Sequence, residues 1–403
     1  MSILLLNAGS SSLKAMLAED DGRALAHAHA DWAGAQTNYR MTLEDEKPRA
    51  ETVSWKGHAK AVEWLLTDLS TQRFSMRAVG HRVVHGGSFT EAVRITPLVS
   101  AQIAALAELA PLHNPPSLEA LAAAQRVLPD AKHVAVFDTA FHSTLPPEAY
   151  TYPVPAKWTQ EWGIRRYGFH GLSHAYCAGR AAEMLGRPLG ELRLVICHLG
   201  HGCSAAAVMH GKSIDTTMGF TPLDGLMMAT RSGAIDPSIV TFVQQRHGLT
   251  AREVDHALNH GSGLQGVSGV SADMREVLAA AKAGRATAQL AIGIYTHRIR
   301  QAVGALTVTM GGIDALVFTG GVGEHSPEIR EQVCVGLECI GLKLDRAANT
   351  ENHSDSDVAA TGSRSRILMI ATNEEATMLH DVLMVLGEDR KDNKRTQTTA
   401  HKE

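Results

Sequence analysis

An internal echo constrains this chain more than any other feature. Ile3-Leu-Leu-Leu-Asn-Ala-Gly-Ser-Ser-Ser-Leu-Lys14 leads an apolar strand into a small, hydroxyl-rich turn and out again. Leu194-Val-Ile-Cys-His-Leu-Gly-His-Gly-Cys-Ser-Ala-Ala-Ala-Val208 repeats the device about 191 residues later. The echo predicts a duplicated core. A strand, a Gly/Ser turn and a second strand gather backbone N–H groups and hydroxyls into an anion cradle. Two such cradles facing each other across a cleft would hold the two ends of a phosphate chain. At 403 residues the chain suits two halves, because single cores stop growing near 250 to 300 residues.

Short apolar runs at Ile3 to Leu6, Ala78 to Val84, His133 to Phe137, Leu192 to Cys197, Ala315 to Thr319 and Ile367 to Ala371 read as strands. Helical periodicity fits Ala59 to Leu69, Ser117 to Leu128, Leu172 to Leu185, Ala286 to Val308 and Glu375 to Leu386. The alternation is that of an α/β protein. From Glu388 onward apolar periodicity is lost, which predicts a frayed tail.

Composition narrows the partners. The net charge of −4 leaves no basic surplus for a nucleic-acid backbone. No apolar run is long enough to span a bilayer, and Met1-Ser-Ile-Leu-Leu-Leu-Asn lacks the basic lead of a secretory signal, so a cytoplasmic protein without a membrane partner is expected. Cys177, Cys197, Cys203, Cys334 and Cys339 form no C-x-x-C and sit between apolar or Gly-rich flanks, as reduced, mostly buried thiols do.

The chain has neither the P-loop nor the dinucleotide fingerprint, so a nucleotide site here is of another design. A third Gly-rich turn, Phe318-Thr-Gly-Gly-Val-Gly-Glu-His-Ser-Pro327, follows a predicted strand, and Ser326 and Pro327 read as the start of a helix. Polar residues cluster where strands or turns end: Arg82, His113, Asp138, His170 and Arg231. Such positions form ligand sites in α/β sheets. One histidine among 21 is weak evidence. An arginine among apolar neighbours is stronger, since it is rarely buried without a partner, and two suggest a carboxylate or phosphate clamp.

Together these residues resemble the acetate and propionate kinase family along nearly the whole chain. The resemblance rests on Asn7 to Lys14, Gly80 to Gly87, Phe137 to His142, Arg166 to Gly171, His198 to Ser204, Thr216 to Met228, Arg231 to Gly233, Thr319 to Ser326 and Thr372 to Glu375, with no clear match from Glu19 to Arg77 or in the tail from Glu388. It implies the sugar kinase, Hsp70 and actin type of fold (ribonuclease H-like), with two domains flanking a cleft. Residues 1–141 with 376–403 would carry the first phosphate loop and the acyl substrate, and 142–375 the second loop and the nucleotide. It also implies a homodimer and reversible, magnesium-dependent transfer between ATP and acetate, giving acetyl phosphate and ADP, with manganese a possible substitute. Propionate, or another phosphoryl donor, is the alternative. An Hsp70-like ATPase module would share the fold but need a client-binding domain.

By matching the family's motifs, Arg82, Val84 and His113 would meet the acyl substrate, while His170 and Arg231 would stabilise the transition state. Asn7 and Glu374 match the magnesium positions. Lys14, Ser10, Ser12, His198, Leu199, Gly200, His201 and Gly202 would hold ATP phosphates; Asp273, Met274, Arg275, Gly321, Val322, Gly323, Glu324 and His325 would hold the adenosine. Asp138 matches a residue labelled acid/base. A carboxylate acceptor is already ionised at neutral pH, so an orienting role for Asp138 is the better expectation. Two departures stand out: His201 and His325 replace the family's usual Asn.

Overall fold

A computed structural model describes residues 2–44, 46–71, 74–110, 113–351 and 355–400, the side chains of 71 and 388–400 excepted. The chain divides into two units, Met1–Ala140 with Asn373–Glu403, and Phe141–Thr372. Each is built on one sheet.

The first unit carries β1 (Ser2–Ala8), β2 (Ser12–Ala18), β3 (Ala24–Asp31), β4 (Thr37–Leu43), β5 (Arg49–Val53), β6 (Met76–Val83), β7 (Val93–Arg94) and β8 (Lys132–Phe137), in the spatial order β5-β4-β3-β2-β1-β6-β8-β7. β1 pairs antiparallel with β2 and parallel with β6, which pairs parallel with β8. Unbroken apolar runs suit strands covered on both faces. Leu4, Leu6 and Val79 pack with Leu65 and Leu66 of the helix His58–Thr71 and with Ala120 and Ala124 of the helix Asn114–Val127. The helix Glu374–Ala400 lies on the other face, so close that a Cβ on Gly80 would stand 2.7 Å from Val382 Cγ2. Only glycine permits that approach.

The second unit carries β9 (Arg193–Leu199), β10 (Cys203–Met209), β11 (Lys212–Thr216), β12 (Ala315–Thr319), β13 (Ser356–Asp357) and β14 (Arg366–Met369), in the order β11-β10-β9-β12-β14-β13. β9 again pairs antiparallel with its hairpin partner β10 and parallel with β12, which pairs parallel with β14. The predicted duplication is thus present in the backbone. β9 and β10 start 191 residues after β1 and β2, Arg193 against Ser2 and Cys203 against Ser12.

The six strands and five helices read from periodicity are all present, with shifted ends. Four expectations need correction. The helix from Glu374 runs to Ala400, with neither a Pro nor, beyond Gly387, a Gly to break it, where a frayed tail was expected from Glu388; residues 401–403 lie outside the described residues. The Gly-rich turn after β12 is a short helix, Gly320–His325, ahead of the helix Pro327–Cys334. Ser326 stands at the cap of that second helix, but its side chain makes no cap bond and Oγ is buried without a partner among the described residues. β6 stops at Val83, so Val84 lies just past the strand, whose regular alternation no longer places it beside Arg82. Four cysteines are buried and Cys339 is exposed, all as free thiols. Among the described residues no helix is long and apolar enough to cross a membrane.

Candidate active site

In the first unit, strand register assembles the polar residues. Asn7 of β1 stands opposite Lys14 of β2, which puts both side chains on one face of the sheet. Arg82, on the neighbouring β6, reaches both ways along that face. Its Nε and Nη2 donate to Asp138 Oδ1 and Oδ2 at 3.0 and 2.6 Å, and Nη1 donates to Asn7 Oδ1 at 3.0 Å. Nη1 also lies 3.5 Å from Glu374 Oε2, at the start of the C-terminal helix. Burial works against the Arg82 charge, but the Asp138 and Glu374 carboxylates outweigh it and hold its pKa above the ordinary value. Burial pushes the Asp138 carboxyl up from its usual range, and the two-pronged bond from Arg82 opposes the rise.

Asn7 Oδ1 and Glu374 Oε2 therefore converge on one guanidinium nitrogen. Two oxygen donors fit a magnesium ion, which takes one or two protein ligands and completes its shell with water and substrate phosphate. Among the described residues no three His, Cys, Asp or Glu side chains are grouped to hold a metal by themselves. Lys14 and Ser10 are exposed and Ser12 is half-buried at the start of β2. Val84 is buried. His113 precedes the helix Asn114–Val127, and its carbonyl accepts bonds from the Ser117 N–H and hydroxyl; Pro111 and Leu112 of its motif lie outside the described residues.

In the second unit the β9–β10 turn is the focus. Gly200 N donates to Gly202 O at 3.0 Å, closing the loop tightly. A Cβ on Gly202 would lie 3.3 Å from His170 Cε1 and Nε2 and 3.6 Å from Arg231 Nη1, so the loop, the imidazole and the guanidinium meet at this glycine. His170 holds left-handed backbone at φ 59°, costly for a residue with a side chain, at the start of the helix Gly171–Leu185. Its ring stacks on His198 at 4.3 Å, and Nδ1 is hydrogen-bonded to Ser204 Oγ. Arg231 is half-buried; Nη1 donates to Pro222 O at 3.1 Å, and no carboxylate lies within ion-pair distance among the described residues. Burial lowers its pKa. The surrounding loops desolvate the His201 ring and Arg231 repels a second positive charge, so its pKa falls below 6.5 although the side chain reaches solvent.

A pocket of about 960 Å³ opens from this loop. Gly200 and His201 form one wall, Asp273, Met274 and Arg275 another, and Gly321, Val322 and His325 a third. Asp273 caps the helix Met274–Lys282, accepting from Arg275 N, and the Arg275 side chain bound to it lowers its pKa to about 2. Two residues assigned here by motif do other work. Gly323 is buried against Phe318, and Glu324 turns inward, accepting from Gly320 N at 2.9 Å and Thr372 N at 3.1 Å. The short glycine helix is braced from behind by Arg330. Fully buried, Arg330 donates to the Gly323 and Glu324 carbonyls and to Asn349.

Sequence reasoning missed Leu264, Leu278 and Lys282 in the pocket wall, which carry only ordinary helix periodicity. It also missed the polar side chains behind the histidines. Ser173 Oγ is hydrogen-bonded to His198 Nδ1 at 2.8 Å and to Thr372 Oγ1 at 2.8 Å. The i, i+4 spacing of His170 and His174 on a helix was the one available signal.

A sequence model of the Acetokinase family matches residues 2–380, including the stretch from Glu19 to Arg77 where no clear motif was legible. An acetate kinase of Gloeothece citriformis is 46% identical over 392 residues, spanning 93% of this chain and 96% of that protein. One from Thermoanaerobacter pseudethanolicus is 44% identical, spanning 94% and 98%. The crystal structure of Porphyromonas gingivalis acetate kinase superposes with a TM-score of 0.88 at 39% identity, covering 96% of this chain and 99% of that one. A propionate kinase from Francisella tularensis gives 0.89 at 38% identity, covering 94% and 98%. The duplicated α/β sheets are thus shared with the crystal structure of an acetate kinase. Likeness of this extent in both sequence and backbone leaves one conclusion: the chain belongs to the acetokinase family, kinases that transfer phosphate to a carboxyl group.

Proposed function

We propose that the protein is an acetate kinase, transferring the terminal phosphoryl group of ATP to acetate and back by direct in-line displacement. The observation that carries this reading is the convergence at Gly202, where a glycine leaves room for phosphate between His170 and an arginine that has no carboxylate partner among the described residues. Acetate needs no base to become a nucleophile. The obstacle is repulsion between anions, so catalysis is positioning and charge neutralisation. Arg82 binds the acyl carboxylate, with Asp138 and Asn7 fixing its fork. Asn7 and Glu374 would hold magnesium, which neutralises phosphate charge when bound. The β9–β10 loop takes the donor phosphates and the adjoining pocket the nucleoside, while His170 and Arg231 donate to the transferring oxygens. A homodimer in the cytoplasm completes the reading.

The test is product formation by purified protein from ATP, GTP or pyrophosphate with acetate, propionate or butyrate, with and without magnesium. Acetyl phosphate, trapped as the hydroxamate, is expected from ATP and acetate only when magnesium is present. No acyl phosphate from any pair would sink the reading.

On this reading Val84, buried just past the strand that carries Arg82, limits acyl size by its place two residues after that arginine in the family motif, not by strand alternation. Discrimination by one methylene is worth about 1–3 kcal/mol, so propionate should be used with kcat/KM roughly tenfold or more below acetate. Val84→Ala is expected to narrow that gap. A wild type that prefers propionate, or a ratio untouched by the substitution, assigns the pocket elsewhere.

His201 adds a pH dependence. Protonated imidazole attracts phosphate, so nucleotide affinity should rise as pH falls, and the lowered pKa places the rise below the ordinary imidazole range. His201→Asn should flatten the profile measured by calorimetric titration with ADP. Superimposable profiles would show that His201 does not act on the phosphates.

A further inference from the structure

The chemistry of His170 depends on which ring nitrogen carries its proton, and the residues behind it decide that. Ser204 Oγ lies 2.9 Å from Nδ1 of His170 and 2.8 Å from Nε2 of His174. A serine hydroxyl has one hydrogen. Among the described residues its oxygen has no other partner, so this hydrogen goes to one ring and the second ring must donate to the oxygen. Ser204 and His174 are both fully buried, so solvent does not relieve a mismatch.

Nδ1 of His174 breaks the tie, because it is buried with no hydrogen-bond partner among the described residues. A proton there would be an orphaned N–H in the core, a rarer and costlier state than a bare lone pair. The proton therefore sits on Nε2 and is donated to Ser204, whose hydrogen then points at Nδ1 of His170. The proton of His170 is left on Nε2, the atom that faces Gly202. Two further facts agree. Burial, with a smaller repulsion from His142 and His198, holds the His174 pKa well below the ordinary value, so the ring is neutral and has one proton to give. His142, edge-on to His174 at 5.5 Å, has both nitrogens engaged, at Phe169 O and Ser213 Oγ.

We propose that His174 and Ser204 are positioning residues that lock His170 in the Nε2–H tautomer, so that it offers the transferring phosphoryl group a hydrogen-bond donor rather than a lone pair. The proposal rests on the reading of His170 given above, and the experiment separates the two. Ser204→Ala should lower kcat about 10- to 100-fold, the scale at which partners that orient a histidine act, with both KM values within about twofold of wild type. His174→Gln, whose amide nitrogen can take the place of Nε2, should retain more kcat than His174→Asn, whose amide cannot reach it. His170→Ala and the double variant His170→Ala with Ser204→Ala should be equally slow.

Two-bond 1H–15N correlation spectra of the histidine rings give a readout that a merely structural role would not move. His170 should appear as the Nε2–H tautomer in the wild type and as a mixture in Ser204→Ala. Nδ1–H on His170 in the wild type overturns the lock, whatever the variants do. So does a Ser204→Ala protein with normal kcat and an unchanged tautomer beside an inactive His170→Ala. Full activity of His170→Ala would instead overturn the reading of His170, leaving the tautomer assignment to stand or fall by the spectra.

Discussion

Arg231→Ala is expected to lower kcat by about two to three orders of magnitude while the protein stays as stable as the wild type or becomes more so. The first half follows from losing one preorganised charge at the place where phosphoryl charge develops. The second follows from the surroundings of this guanidinium. It is half-buried, donates to the Pro222 carbonyl and has no carboxylate partner among the described residues, so the folded protein bears a desolvation cost that an anion would offset. A guanidinium held at such a cost with no carboxylate partner among the described residues is better explained by an anionic ligand than by folding. Arg231→Lys should restore little, since an ammonium lacks the two-pronged fork. Initial rates of acetyl phosphate formation and urea midpoints check both halves. A kcat loss below threefold in a folded variant would remove Arg231 from the transition state.

Arg82→Ala should behave in the opposite way, losing stability as well as activity. Its partner Asp138 is only 2% exposed at the side chain, and removing the guanidinium leaves a buried carboxylate with its main counter-charge gone. Breaking such a pair costs about 3–5 kcal/mol. The sign with pH is fixed. Without Arg82 the folded-state pKa of Asp138 lies further above its unfolded value, so the folded protein binds the extra proton and the variant loses stability as pH rises through that raised pKa. The urea midpoint should therefore fall more at pH 8 than at pH 5. Adding Asp138→Ala removes the orphaned charge and should recover much of the midpoint but none of the activity. A double variant no more stable than Arg82→Ala would show that the pair is not what the strand ends depend on.

What was legible in the sequence follows physical lines. The central strands are unbroken runs of buried aliphatic residues, and such runs announce themselves. β3 does not, because Ala24-Leu-Ala-His-Ala-His-Ala-Asp31 alternates in the small, weakly β-forming alanine. Gly320–His325 reads as a turn since its glycines oppose helix, and what overrides them is side-chain bonding to its backbone that no periodicity announces: Glu324 on the Gly320 N–H and Arg330 on the Gly323 and Glu324 carbonyls. Asn7, Arg82 and Asp138 stood out singly by motif. Their common cluster, like the Ser204 bridge between His170 and His174, depends on partners 30 to 75 residues apart and on strand register, which no local pattern carries.

The C-terminal helix has a consequence in time. It alone supplies Val382, which seats on Gly80 and covers the face of β1 and β6 opposite the other helices. Those strands leave the ribosome before that helix, with the whole of Phe141–Thr372 made in between. At ordinary synthesis rates of roughly 5–20 residues per second, the gap lasts on the order of 10 to 50 s. The second unit, continuous in sequence, can complete its sheet while the first still exposes an apolar strand face. A growing chain of this protein thus still has an apolar face to shield after its second unit has folded.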